Sequence, residues 1–288
     1  MAVTVAEAPK VTVADLVGRL EAGVKGVTTS DGWRQYLALQ AKLPRYSLGN
    51  TFLVLAQRPD ATAVGGFHFW LHQGRHVRKG EHGIRILAPV MARKAAAEDG
   101  EETANGRRPV RGFRIVTVFD VSQTDGEPLA QHPCHTLTTD SERGRWLLAH
   151  LLDLATAEGI SIREDAAGLG TANGCYFPAS HSIALAAGLS LDQKAKTLCH
   201  EIAHALAHRK TDKPRAEQEA EAEGTAFVVA AWVGLNTSQY SFGYVADWAG
   251  GKDGPAFVRR VGDTIQKTAA AIIAHLDPEA RNEGRQTA

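Results

Sequence analysis

The sequence predicts an α+β chain in two parts: helices followed by an antiparallel sheet, then a second unit in which a helix and two short strands precede a helix hairpin. Three observations carry this. Apolar residues recur at helical spacing before residue 59. Glycines mix with aromatic and β-branched residues from Gly65 to Val90, and β-type sequence resumes at 112. Beyond a proline-bearing stretch near residue 130, helical periodicity returns.

Each element has its own warrant. "TVADLVGRLEAGV" sets Leu16, Val17 and Leu20 on one helical face. "SDGWRQYLALQAKLP" offers Ser30 as cap, Trp33, Tyr36, Leu37 and Leu39 as apolar positions, and Pro44 as a stop. "SLGNTFLVLAQRPD" makes a third helix that halts near Pro59. "GGFHFWLHQGRHVRKGEHGIRILAPV" reads as strands and tight turns. The polar stretch 94–109 reads as a loop between two strands, because "GFRIVTVFDVSQT" follows it. "GEPLAQHPCHTLTTD" lacks periodicity, so a linker is expected at 129–140, between one domain at 10–128 and another at 141–276. "SERGRWLLAHLLDLATAEG" is an amphipathic helix closed by Gly159, and "GCYFPASHSIALAAG" is two short strands around a turn at Pro178–His181. A helix with three histidines comes next, then another from about Pro214 to Val233.

The bulk numbers exclude several classes. Cys134, Cys175 and Cys199 are odd in number and far apart, which argues against a disulfide framework and an all-cysteine metal site. No apolar stretch nears the roughly 20 residues a membrane span needs. The opening residues lack a basic-then-apolar leader. A cytoplasmic protein with no membrane partner is the expectation. Formal net charge is zero, but residues 40–94 hold nine basic side chains against two acidic ones. Cations interleaved with aromatic rings suit single-stranded nucleic acid, where cations follow phosphates and rings stack on bases. The residues expected to make such contacts are Arg45, Tyr46, Arg75, Arg78 and Lys79, with Trp70 as a stacking ring.

"LCHEIAHALAH" carries the sharpest motif, His200-Glu201-x-x-His204. Residues four apart on a helix lie one turn apart on nearly the same face, so both imidazoles can reach one zinc ion. Glu201 stands beside the first ligand and can act as the base on a water held there. A third ligand is needed, and Glu219 supplies it. It lies about five residues beyond the Thr211–Pro214 turn, as His204 lies about six before it. Glu223 shares the face of Glu219 and can accept a hydrogen bond from a ligand histidine. Glu221 is roughly 200° away and points elsewhere. His208 reads as a surface or structural histidine. Tyr240 and Tyr244 either steady an oxyanion or pack against a C-terminal helix.

"HEIAH" with the following acidic run resembles the gluzincin peptidases, and within them the minimal ImmA/IrrE-like peptidase domains. Glu223 stands where those families usually have Asn or Asp. "RYSLGNTFLVLAQRPDAT", "VGGFHFWLHQGRHVRKGEHGIRILAPV", "VFDVSQTDGEPL", "EAEAEGTAFVV" and "YSFGYVADWA" resemble, in order, the ArdC antirestriction family. The resemblance spans roughly residues 30–275. It implies an N-terminal domain that binds single-stranded DNA ahead of a zincin-type metallopeptidase domain. The implied role is protection of incoming mobile DNA, with one Zn2+ ion or another divalent metal as cofactor and a protein substrate in addition to DNA. Two other readings stand beside it: a regulatory zinc peptidase that cleaves a repressor, and a DNA-binding module with a purely structural metal.

Overall fold

The structure, a computed structural model, describes residues 11–26, 29–91, 110–129, 139–165, 169–238, 240 and 254–277. The expected 94–109 loop, most of the 129–140 linker, Cys134 and Tyr244 lie outside them. Three helices open the chain: α1 (Val13–Gly26), α2 (Ser30–Lys42) and α3 (Leu48–Gln57). Thr29, one residue before the expected Ser30, caps α2 by accepting the Gly32 N–H at 3.1 Å.

There follow β1 (Val64–Gly66), α4 (Phe67–His72), β2 (Arg75–Val77), β3 (Ile84–Met91), β4 (Val110–Asp120), one 3-10 turn (Val121–Gln123) and β5 (Thr124–Gly126). β4 is the middle strand of an antiparallel sheet, with β1 on one side and β3 on the other, and β2 pairs with β5. Within the expected strand-and-turn block, "FHFWLH" folds as a helix. That turn of helix buries Trp70 while its indole N–H reaches the Phe119 carbonyl at 3.0 Å. Phe69 lies against Gly65, where an added Cβ would stand 2.1 Å from its ring.

Helix α3 closes the outer edge of β3 with two side-chain amides. Asn50 accepts from Leu87 N–H and donates to its carbonyl, both at 2.9 Å. Gln57 does the same for Arg85, at 3.0 and 2.8 Å. Two residues seven apart on a helix thus stand in for a neighbouring strand. The far end of the sheet is tied down by Asp120. Its carboxylate accepts from the N–H groups of Thr62, Ala63 and Ser122 at 2.8, 3.1 and 3.0 Å, and from the Ser122 hydroxyl at 2.6 Å.

The second part opens with α5 (Asp140–Ala157), started by a capping box of Thr139 and Glu142. Gly159 reverses the chain at φ 69°. Strands β6 (Ser161–Asp165), β7 (Gly174–Phe177) and β8 (Ser182–Ala186) form a sheet with β8 in the middle, parallel to β6 and antiparallel to β7. The expected β7–β8 hairpin is there; the parallel β6 is additional. Helices α6 (Leu191–His208), α7 (Arg215–Val233) and α8 (Gly254–Leu276) complete the described chain.

The apolar interior joins the two parts. Trp33, Tyr36 and Leu37 of α2 and Phe52 of α3 share one cluster with Leu147, Ile183, Ile202, Phe227 and Ile265. Leu39, Leu53 and Val54 of the same two helices, with Leu43 at the end of α2, look the other way, into a smaller cluster with Ile84, Ile86 and Val118. So α2 and α3 lie between the N-terminal sheet and the C-terminal helices, with an apolar face toward each.

Asp120 gives a test of this construction. Backbone and hydroxyl donors around it outweigh its burial and hold its carboxyl below the usual carboxylate range. A depressed folded-state pKa contributes stability above the unfolded value near 3.8, and that stability is lost as pH falls through the folded value. Asp120→Ala is expected to cost about 1–3 kcal/mol in urea unfolding at pH 7, because three part-buried N–H bonds lose their acceptor. The gap between variant and wild type narrows in acid.

Candidate metal centre

Helix α6 starts at Ser190, whose hydroxyl accepts the Gln193 N–H. Leu198, Cys199, Ile202 and Ala205 give it an apolar face that is buried in the main cluster. His200 and His204 project from the neighbouring face. After the turn at 209–214, α7 runs back along α6 and brings Glu219 opposite the two imidazoles. The three donor atoms converge. His200 Nε2 and His204 Nε2 are 3.1 Å apart. Glu219 Oε2 is 3.4 Å from the first and 3.6 Å from the second. Ligands at about 2.05 Å from a tetrahedral ion stand about 3.3 Å from one another, so these donors have the spacing of three corners of a metal tetrahedron.

The charges around the donors are matched to them. Burial opposes a proton on His200, but hydrogen bonds to Glu219 and Glu223 and the charge of Glu201 push it up to about 9. His200 and His204 hold the Glu219 carboxyl far below the usual range. Glu223 Oε2 lies 3.4 Å from His200 Nδ1, the ring nitrogen turned away from the donor cluster, which suits it to orient that ring.

Glu201 faces the adjoining cleft. Burial raises its carboxyl, while the two histidines and the Tyr176 N–H pull the other way. The contact with Tyr176 brings in β7, which is an edge strand of its sheet. Gly174 permits the approach: an added Cβ would stand 2.6 Å from Thr197 Cγ2 and 3.1 Å from Glu201 Cγ. A cleft of about 490 Å3 runs between Tyr176 on β7 and the group His200, Glu201, His204 and Glu219. A second hollow of about 290 Å3 adjoins His200 and Glu201, walled by Asn173, Lys196, Glu223 and Tyr240. The Tyr240 ring is buried and its hydroxyl has no partner among the described residues. Arg34 of α2 donates to the carbonyls of Thr237 and Tyr240, so the N-terminal part pins this wall.

Sequence reasoning left one part of the site unread. Of the two expectations for His208, surface or structural, its burial fits the second, and its Nδ1 lies 2.9 Å from His204 Nδ1. Its Nε2 lies 2.8 Å from Glu221 Oε2. Glu221 does turn away from the donor cluster, but into the protein, where Lys213 Nζ meets its other oxygen at 2.5 Å. The signal was the unbroken i, i+4 series His200, His204, His208.

The residues expected to contact DNA fare differently. Trp70 is fully buried, so the expected stacking role is corrected: its ring is core and its N–H is bonded to the chain. Tyr46 is half-buried, its hydroxyl donates to the Val64 carbonyl at 2.9 Å, and burial raises it to about 12. Arg75 spends its guanidinium on Thr124, Gly126 and Glu127, which makes it a clamp on β5. Arg78 is held by Glu81 at 2.6 Å and by Asp125 at 3.4 Å. Arg45 and Lys79 are exposed. Composition showed the cations and rings but not their partners.

Comparison with known proteins places these features. Residues 8–119 match the profile of the N-terminal domain of anti-restriction factor ArdC, and residues 155–241 match that of the IrrE N-terminal-like domain of a peptidase family. An uncharacterized Bacillus anthracis protein is 27% identical over 274 residues, covering 82% of this chain. The chain spans about half of that relative's length, 46%. Among solved structures, metal-free antirestriction ArdC from the R388 plasmid is 21% identical with a TM-score of 0.47, covering 81% of this chain and 84% of that one. The Mn(II)-bound form of the same protein is 17% identical with a TM-score of 0.49, covering 92% and 97%. The chain thus carries, in order, a region that matches the N-terminal domain of anti-restriction factor ArdC and a region that matches the IrrE N-terminal-like peptidase domain.

Proposed function

We propose that this is an antirestriction-type protein that binds single-stranded DNA and carries a working metallopeptidase site. The observation that supports the enzymatic half most directly is the spacing of His200, His204 and Glu219, at 3.1, 3.4 and 3.6 Å. Two imidazoles and one carboxylate are a donor set suited to zinc, and they fit one divalent ion. Such an ion would supply a Lewis acid and an activated water. The chain's own residues supply the rest. Glu201 takes a proton from the attacking water and returns it to the leaving amine. Glu223 orients His200. The outer edge of β7 carries no further strand among the described residues, and beyond the Tyr176 N–H held by Glu201 its backbone groups suit an extended peptide laid along the cleft. The intact Glu201 favours catalysis over a purely structural metal, which would not need that carboxylate.

For DNA, support comes from the match of residues 8–119 and from β4, where Phe113 is 55% exposed between exposed Arg111 and Arg114. Arg114 follows Phe113 directly and so leaves the opposite face of β4; an exposed ring and exposed guanidiniums along one strand suit base stacking with phosphate contact. No helix among the described residues is long and apolar enough to cross a membrane. We place the protein in the cytoplasm, where incoming DNA and host nucleases meet. The second reading, a regulatory peptidase that cleaves a repressor, uses the same site, with DNA serving only to localise it.

Three outcomes test this. The full-length protein takes up one equivalent of zinc in a calorimetric titration. His204→Ala and Glu219→Ala do not, whereas Glu201→Gln does. Against a panel of DNA-associated proteins, Glu201→Gln cleaves about 10²–10⁴-fold more slowly than wild type. If it still protects DNA in a restriction assay, coating and not proteolysis is the active principle. In fluorescence anisotropy with a single-stranded oligonucleotide, Arg111→Ala with Arg114→Ala lowers the slope of log K against log salt by about 1.4, at about 0.7 per lost phosphate contact. An unchanged slope removes β4 from the interface.

A further inference from the structure

The buried chain of groups behind His204 has a direction that its chemistry fixes. We propose that Glu221, acting through His208, sets the tautomer of His204, with the proton on Nδ1 and the lone pair on Nε2 toward the donor cluster. This rests on the reading of His204 as a metal ligand. His208 and Glu221 are then positioning residues.

Protonation is fixed first at the Lys213 end of the chain. Lys213 Nζ carries only donors, and it stands 2.5 Å from Glu221 Oε1. The Glu221 carboxylate is therefore an acceptor on both oxygens, and the nitrogen 2.8 Å from Oε2, His208 Nε2, must carry a hydrogen. A neutral imidazole with a hydrogen on Nε2 has a bare Nδ1. That atom lies 2.9 Å from His204 Nδ1, so the hydrogen between them belongs to His204. His204 then has no hydrogen on Nε2, the atom 3.1 Å from His200 Nε2 and 3.6 Å from Glu219 Oε2. Every link is buried or half-buried, which limits water as a substitute partner. The acidic run of α7 is thus divided among three tasks. Glu219 faces the donor cluster, Glu223 faces His200 directly, and Glu221 acts on His204 through one intervening ring.

Glu221→Gln gives a sharp test because it keeps the shape. Lys213 has only hydrogens to offer, so the amide oxygen must face it and the amide NH2 must face His208. Each link then reverses: His208 carries its hydrogen on Nδ1, and His204 carries its own on Nε2, where it blocks the metal. Long-range 1H–15N NMR of the full-length metal-free protein reads these tautomers directly. His204 and His208 are assigned by the loss of their signals in single substitutions. The expected result is His204 protonated at Nδ1 in wild type and at Nε2 in Glu221→Gln. In competition titrations with zinc, Glu221→Gln and His208→Leu bind about 10- to 100-fold more weakly than wild type. His208→Asn, whose side-chain oxygen still accepts from His204, recovers most of the loss. Circular dichroism confirms that each variant is folded. A wild-type His204 protonated at Nε2, or a His208 protonated at both nitrogens, overturns the proposal. So does unaltered zinc affinity in Glu221→Gln. If wild type binds no zinc at all, it is the metal-site reading that fails, and the NMR result still judges the tautomer.

Discussion

The register of α6 against α7 is the constraint on which the site depends. His200 and His204 sit one turn apart on one helix, and Glu219 must come level with both from the other. A slip of one residue on α7 would swing Glu219 by about 100° around its axis and remove it from the cluster. Two buried carboxylates with fixed partners resist such a slip. His208 reaches Glu221 at the closed end of the hairpin, and Glu217 is gripped from α8 by Arg260 through two hydrogen bonds at 2.9 and 3.0 Å. Both carboxylates are buried on a helix whose following turns, Ala226 to Ala230, are wholly apolar. Sliding α7 would leave each charge without its partner in an interior of low polarity, which is costlier than losing an exposed pair. Alignment and electrostatic compensation are therefore one problem here, solved by the same side chains.

The parts of the site that proximity in sequence could reveal were legible. The four-residue spacing of the two histidines, the short turn at Pro214 and the placement of Glu219 all follow from helix geometry and counting. The strand pair around Pro178–His181 and the limits of α7 were legible for the same reason. What sequence patterns hid was pairing across distance. Arg75 looks like a free cation until Thr124, 49 residues on, takes its guanidinium. Trp70 reads as a stacking ring until the Phe119 carbonyl, also 49 residues away, is found beneath it. β6 has no alternation to betray it, and it forms only because β8 lies parallel beside it. An acidic run is a solvated face in most helices. Here Glu217 and Glu221 are interior, because Arg260 on α8 and Lys213 in the preceding turn wait for them.

The two edges of the protein that bear on its chemistry are treated in opposite ways. β3 is covered by the amides of Asn50 and Gln57, which take up the outward backbone groups of Leu87 and Arg85. Among the described residues no further strand flanks β7, and it runs beside Glu201 at a distance that only glycine at position 174 allows. In the proposed reading, an extended chain would be turned away at the first sheet and would lie along the second, close to Glu201.

Two separate profiles match this chain, as if it had been assembled from exchangeable pieces, yet Trp33, Tyr36 and Phe52 lie in the same interior as Phe227 and Ile265. Genetic recombination between relatives would therefore meet a hidden toll at this surface. A foreign N-terminal half would have to arrive with large rings of the same size at the same places, or leave a hole beneath the helices that hold the donors. It would also need a cation where Arg34 grips the chain at Tyr240. Inheritance of the two halves as a unit, with compensating changes on both sides of α2, is the evolutionary pattern that this shared interior favours.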